Sequence, residues 1–304
     1  MEGNKNPLIC DPVTGVCEIP GMQSAPEGPI LHDQEKPLTI TYFTDPICSS
    51  CWGIEPQLRK LKLEYGRFIK FYYHMGGLLP DWSYNSGGIS KPSDVAHHWD
   101  EVSLHYNMPI LGDVWLEDPL PSSYPPSIAF KAAQLQDEYK AIAFLRISRE
   151  MLFLQKKNIT RWEHLSDAAA AAGLDPAQLK KDYEQTAEAL FQDDLAMARS
   201  MGVRGFPSIF ISDKDKHTEF VYGVKPYEVY TKAIRRLLAD AQPAPYDKSW
   251  DALFGVYPTL TTREFAELSE VSLDAAATTL GELKTAGRLG CFSTRNGDLW
   301  QKLG

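Results

Sequence analysis

Residues 41–56 read Thr-Tyr-Phe-Thr-Asp-Pro-Ile-Cys-Ser-Ser-Cys-Trp-Gly-Ile-Glu-Pro. An extended apolar run, Leu38 to Phe43, stops at the turn pair Asp45-Pro46. Cys48-x-x-Cys51 follows at once, and then apolar residues recur at helical spacing at Ile54, Leu58, Leu61 and Tyr65. A strand that runs into a helix puts Cys48 at or near the helix N-terminus. There unpaired backbone N–H groups and the positive end of the helix dipole stabilise a thiolate. Cysteines in such motifs reach pKa values of roughly 3.5–7.5, against about 8.5 for a free thiol. Cys48 is therefore the expected exposed nucleophile, and Cys51, one helical turn inward, the resolving thiol. Paired cysteines also mark half of a zinc site. That alternative needs a second ligand pair, and none of similar quality follows within about a hundred residues.

Outward from the cysteines, Ile69–His74 reads as a second buried strand. With Leu38–Phe43 and the intervening helix it makes a βαβ unit, whose parallel crossover is right-handed. Met75-Gly-Gly77 supplies a bend or a close backbone approach, and Trp82 and Tyr84 are placed to line a groove there or to pack in a surface loop. From Ser93 to Met201 the pattern is helical, broken by the proline-rich loop 119–126. Thr160-x-x-Glu163 reads as a capping box. Asp175-Pro176 offers an N-cap with proline at the first helical position, after Gly173 at the end of the preceding helix. His98, Glu101 and His105 share a helix face that permits metal ligation, although such a surface trio is ordinarily solvated, and no metal is assigned. Val203-Arg-Gly-Phe-Pro207 then leads into the β-like run 208–211. A charged turn over 213–217, a returning strand at 219–222 and a helix over about 227–239 complete a ββα half. Inside a strand Pro207 would remove a ladder donor, so it must sit at the strand start.

At these residues the chain resembles the thioredoxin-fold DsbA family. The resemblance implies a cis peptide at Phe206-Pro207 facing the Cys pair, with Pro207 part of the catalytic set beside Cys48 and Cys51. It also implies substrate contact at Phe206 and Trp52. The Cys pair, the Phe206-Pro207 loop and Gly76-Gly77-Leu78 are similar to the FrnE-like cytoplasmic group, which are dithiol–disulfide oxidoreductases or isomerases. Val114-Trp-Leu-Glu-Asp-Pro-Leu120, Ala129–Leu135 and Phe153–Thr160 are similar to the YjbH/SpxH adaptors, which present the regulator Spx to the ClpXP protease. The first resemblance implies thiol–disulfide exchange on protein substrates, and the alternative a protein client, Spx, with ClpXP. Ser49-Ser50 brings no cation to the Cys48 thiolate and Asp45 opposes it, so a weaker oxidant than a periplasmic DsbA is expected.

The expected fold is α/β. A thioredoxin-like domain spans 37–240 with a DsbA-type helical insertion at about 92–201. Gln242-Pro-Ala-Pro245 lies in a linker over 241–247. Residues 248–304 resemble a small winged-helix module: Thr261-x-x-Glu264 opens one helix, 272–286 forms a second, and Asn296-Gly297 signals a hairpin. A DNA reader needs a basic second helix, but this one has Asp274, Glu282 and a single Lys284. Cys291, on a strand, is expected to be a buried structural thiol.

The net charge of −9 also argues against nucleic-acid binding. No apolar run approaches the ~20 residues of a membrane span. The N-terminus has no apolar core of a secretory signal, so a cytoplasmic location is expected. In the arm over residues 1–36, Cys10 and Cys17 flank a turn-forming stretch. They read as a second thiol pair, half a metal site, or two cysteines without a role. No cofactor is expected.

Overall fold

Leu38, Ile40 and Tyr42 alternate with Thr39 and Thr41, and this period of two faces one side of a strand to a core. In the computed structural model, which describes residues 36–83 and 90–303, that strand is β1 (Leu38–Thr44). Cys10, Cys17 and Tyr84 lie outside the described residues. β1 pairs in parallel with β2 (Ile69–Met75), Leu38 opposite Ile69 and Thr44 opposite Met75. Its other edge pairs antiparallel with β3 (Ser208–Asp213), which in turn pairs with β4 (Thr218–Tyr222). The sheet order is β2-β1-β3-β4.

Between β1 and β2 the chain forms two helices where one was expected, α1 (Ser49–Gly53) and α2 (Glu55–Tyr65). Pro56 has no N–H to continue the ladder, and it sits in the first turn of α2, where none is needed. Leu58 and Leu61 of α2 share a core with Ile40, Tyr42, Ile209 and Ile211, closed by Tyr230 and Ile234 of the later helix over 227–237.

The insertion is helical, as its pattern predicts. It comprises α3 (Pro92–Tyr106), α4 (Val114–Glu117), α5 (Tyr124–Gln136), α6 (Glu138–Phe153), α7 (Trp162–Ala171), α8 (Pro176–Gln185) and α9 (Ala187–Ser200). Pro125 and Pro126 open α5 rather than break it. Asp175 caps α8 by accepting from the N–H groups of Ala177 and Gln178 at 2.8 and 3.3 Å. The expected capping box at Thr160 does not form. Asn158 Oδ1 accepts from both the Thr160 amide and its hydroxyl, at 3.0 and 2.6 Å, so α7 starts after Arg161 without a side-chain cap.

After α10 (Tyr227–Leu237) come α11 (Trp250–Val256), β5 (Thr259–Thr261), α12 (Thr262–Ser269), α13 (Leu273–Thr285), β6 (Leu289–Thr294) and β7 (Gly297–Lys302). The three strands form an antiparallel sheet in the order β5-β7-β6. Leu253, Phe254, Leu260, Phe265, Leu268, Leu280 and Trp300 give this block its own apolar core. Here the predicted Thr261–Glu264 capping box is present, each side chain bonded to the other residue's amide.

The block is joined to α2 and α6 by buried charge. Arg146 donates to both carboxylate oxygens of Glu264 at 2.7 and 2.9 Å. Arg59 lies 3.2 Å from the same carboxylate and donates to the Thr259 carbonyl at 2.7 Å. At the rim, Arg295 pairs with Asp100 and Asp113, and Asn296 donates to Asp100 and to the Ile110 carbonyl. The contact continues inward, since the Arg146 guanidinium lies 4.3 Å from the ring centroid of Trp52, the residue after Cys51.

Candidate functional site

Cys48 is the N-cap of α1, with extended backbone, and its sulfur accepts the Cys51 N–H at 3.1 Å. The strand-to-helix turn thus delivers the predicted geometry, and Cys48 and Cys51 are joined as a disulfide with Cα atoms 5.2 Å apart. Exposure differs from expectation. Cys48 is only 3% exposed and Cys51 is fully buried, because Cys48 lies at the floor of a groove whose walls include Leu78, Trp99 and Phe206. Trp52, expected to touch substrate, is fully buried and does not line the groove. Its indole N–H donates to the Pro109 carbonyl at 3.1 Å, and its ring stacks on Phe153 at 5.5 Å.

Asp45 holds the turn beneath the disulfide. Its carboxylate accepts from the amides of Ile47 and Leu78 at 3.0 and 2.7 Å and from the Ser123 hydroxyl at 2.9 Å. One side chain thereby ties the cysteine turn to the loop after β2 and to the start of α5. Burial pushes the Asp45 carboxyl up to about 6, against the pull of those three donors and of Arg149. Arg149 spans the other side of the turn, donating to Glu55 at 2.7 Å, to the Thr44 hydroxyl at 2.6 Å and to the Asp45 carbonyl at 3.1 Å. Arg149 and Ser123 are absent from the sequence reading. The available signal for Arg149 is a charge set on the buried stripe of α6 with Phe144, Leu145 and Leu152.

The Phe206–Pro207 peptide is cis, as the resemblance implies, and Pro207 precedes the first residue of β3. Phe206 lines the groove with Cys48, whereas Pro207 is buried behind it and accepts from the Gly223 amide at 2.9 Å. Gly76 and Gly77 line the groove as well, Gly76 against Phe206. A Cβ on Gly76 would overlap the Phe206 ring, and Gly77 has φ +69°, a conformation that favours glycine. Trp82 lines the groove, its indole N–H held by the Leu120 carbonyl at 2.9 Å. The groove measures about 620 Å³.

A larger cleft of about 900 Å³ has neither cysteine in its walls. Several of its charges are partnered internally: Lys131 and His74 meet Asp194, and Arg146 meets Glu150. His98 and His105 do not converge with Glu101, which pairs instead with His97 at 3.2 Å. Among the described residues one trio is spaced for a metal, Asp213, Asp215 and His217 on the β3–β4 turn, at the far end of β3 from Pro207. Cys291 is half-buried rather than buried, since β6 is an edge strand of the small sheet.

The Thioredoxin_5 family, described as thioredoxin, matches residues 42–232. The chain is 32% identical over 309 aligned positions to the ClpXP adapter protein SpxH of Halalkalibacterium halodurans, covering 100% of both chains. Among solved structures it is similar to a protein taken to be a disulfide isomerase from Nitrosomonas europaea. That likeness has a TM-score of 0.56 and 20% identity, over 67% of this chain and 96% of that one. It is also similar to the cytosolic disulfide reductase DsbM from Pseudomonas aeruginosa. There the TM-score is 0.52 and the identity 21%, over 65% of this chain and 98% of that one. No helix among the described residues is long and apolar enough to cross a membrane.

Proposed function

The chain belongs to the thioredoxin family and, through relatives that match it from end to end, to the SpxH adapter proteins, and on that premise we propose that it is an adapter holding a protein client for a ClpXP-type protease. The observation that carries this reading is the extent of the likeness. Similarity to the SpxH relative covers the whole chain, whereas likeness to the disulfide enzymes stops at 65–67% of it. What the enzymes lack, the adapter relative has. The client implied is Spx, and the compartment the cytoplasm. We read residues 248–304 as a winged-helix-like module that takes part in protein contact rather than DNA contact, since α13 carries Asp274 and Glu282 against Lys284.

Thiol–disulfide exchange is a second reading, favoured by the disulfide at a helix N-terminus beside Phe206. In the reduced protein the Cys48 thiolate attacks one sulfur of a substrate disulfide. The substrate S–S bond breaks and the leaving thiolate takes up a proton. Cys51 then attacks the Cys48 sulfur and releases the second substrate thiol. In this reading Pro207 and the Phe206 main chain hold an extended substrate segment by strand-like hydrogen bonds.

Reconstituted ClpXP degradation of Spx separates the two. The adapter reading expects faster degradation with the chain present, undiminished in Cys48→Ser/Cys51→Ser. A wild-type chain that neither binds Spx nor speeds its degradation sinks that reading. Insulin-disulfide reduction tests exchange independently, and Cys48→Ser must abolish it.

A further inference from the structure

The chain has 40 acidic side chains and 31 Lys and Arg. The groove over the disulfide reverses that balance. His98, Arg199 and Arg204 line it, and among the described residues no carboxylate does. Asp81, between the lining residues Pro80 and Trp82, turns its carboxylate to the Ser83 amide and hydroxyl.

The two arginines stand apart from the rest. Arg59, Arg146, Arg149, Arg161, Arg236, Arg263 and Arg295 are all ion-paired. Arg67 donates to a carbonyl, Arg235 donates to a hydroxyl, and Arg288 lies over Trp250. Among the described arginines, only Arg199 and Arg204 have no hydrogen-bond, ion-pair or ring partner, and both are exposed at the groove. Trp115, also a lining residue, has an indole N–H that is buried without an acceptor. Among the described residues, two exposed guanidinium groups therefore border the groove with no acceptor of their own, around a disulfide and an aromatic wall of Trp82, Trp99 and Phe206.

We propose that this groove receives a cysteine-bearing polypeptide segment with carboxylate side chains close to its cysteine, and that Arg199 and Arg204 grip those carboxylates. The inference rests on the exchange reading of the same site and names its substrate class. The chemistry is the two-step exchange given above: the substrate disulfide gains two electrons and two protons, and Cys48 and Cys51 lose them. Guanidinium forks match carboxylate geometry, and an oppositely charged cleft raises the rate of encounter.

The test mixes the reduced full-length chain with two disulfide-linked peptides, one with Asp and Glu flanking its cysteine and one with Asn and Gln there. Acid-quenched mass spectrometry follows formation of the Cys48–Cys51 disulfide. The acidic peptide should react about tenfold faster at low salt. The advantage should shrink near 1 M salt, where the Debye length is about 3 Å. Arg199→Glu/Arg204→Glu should reverse the preference, a readout that loss of folding cannot mimic. Equal rates for the two peptides with wild-type protein overturn the inference and leave exchange standing. No reaction with either removes the exchange reading and the inference with it. Glutathione disulfide outpacing the acidic peptide reassigns the groove to a free acidic thiol and overturns the polypeptide assignment.

Discussion

Arg146 and Glu264, 118 residues apart in the chain, meet through two parallel hydrogen bonds of 2.7 and 2.9 Å where the C-terminal block joins α6. Glu264 is fully buried, so removing its charge takes from Arg146 and Arg59 the carboxylate they share and leaves the two cations with Glu150 and Glu55 alone. Glu264→Gln should cost about 3–5 kcal/mol in urea unfolding. Arg146→Met/Glu264→Met should recover most of that, because the partner left behind causes the loss. A cost under about 1 kcal/mol for the single variant would place this pair among exposed bridges.

The rim pair supplies the contrast. Arg295 is 48% exposed where it meets Asp100. Water screens that pair, so Arg295→Ala should cost less than about 1 kcal/mol. The same unfolding experiment ranks the two sites, and equal costs would contradict the assignment of the joint's strength to its buried centre.

Asp45 and Glu264 have opposite pH signs. Burial raises the Asp45 carboxyl to about 6, so the folded chain holds this proton more tightly than the unfolded chain does. Its contribution is fully present below its ordinary value of 3.8 and is lost as pH rises through about 6. The size of that loss is about 3 kcal/mol. Burial also pushes Glu264 up, but Arg146 and Arg59 more than reverse it and hold it below 4.5. Its contribution is present above 4.5 and fades as pH falls. Asp45→Asn should remove the decline between about pH 4 and 6, and Glu264→Gln the loss on the acid side. The check is unfolding free energy against pH.

Gly76→Ala should damage the groove without touching sulfur. The added methyl group must displace the Phe206 ring, which with Cys48 lines the site. If Phe206 positions an extended substrate, peptide-disulfide exchange should fall about tenfold or more. Exchange with a small disulfide such as hydroxyethyl disulfide should fall less. Equal losses for both would show that Phe206 does not position the peptide.

Features written in consecutive residues were legible in the sequence. The cysteine turn, the Asp175-Pro176 cap, the Thr261–Glu264 box and the strand start after Pro207 each depend on neighbours within a few positions. The supports of the site do not. Asp45 meets Ser123 across 78 residues and Leu78 across 33, and Arg149 reaches the Asp45 carbonyl across 104. No local pattern encodes such partners. Thr160 fails as a cap for a related reason: Asn158 competes for its hydroxyl, and both outcomes fit the same local sequence. The hairpin was announced by Asn296-Gly297, yet only Gly297 takes a positive φ, and the Asn296 side chain is spent across the block boundary on Asp100 and Ile110.

The charged joint also sets an order in time. Arg59 and Arg146 are synthesised long before Glu264, so a nascent thioredoxin-like portion emerges from the ribosome with Glu55 and Glu150 beside these arginines but without the buried carboxylate they share. Trp52 lies beneath Arg146, so the helix that carries the cysteines reaches its final electrostatic surroundings only when the last fifth or so of the chain has been made. Translation stopped before the C-terminal block would yield a chain with both cysteines and an incomplete wall behind them.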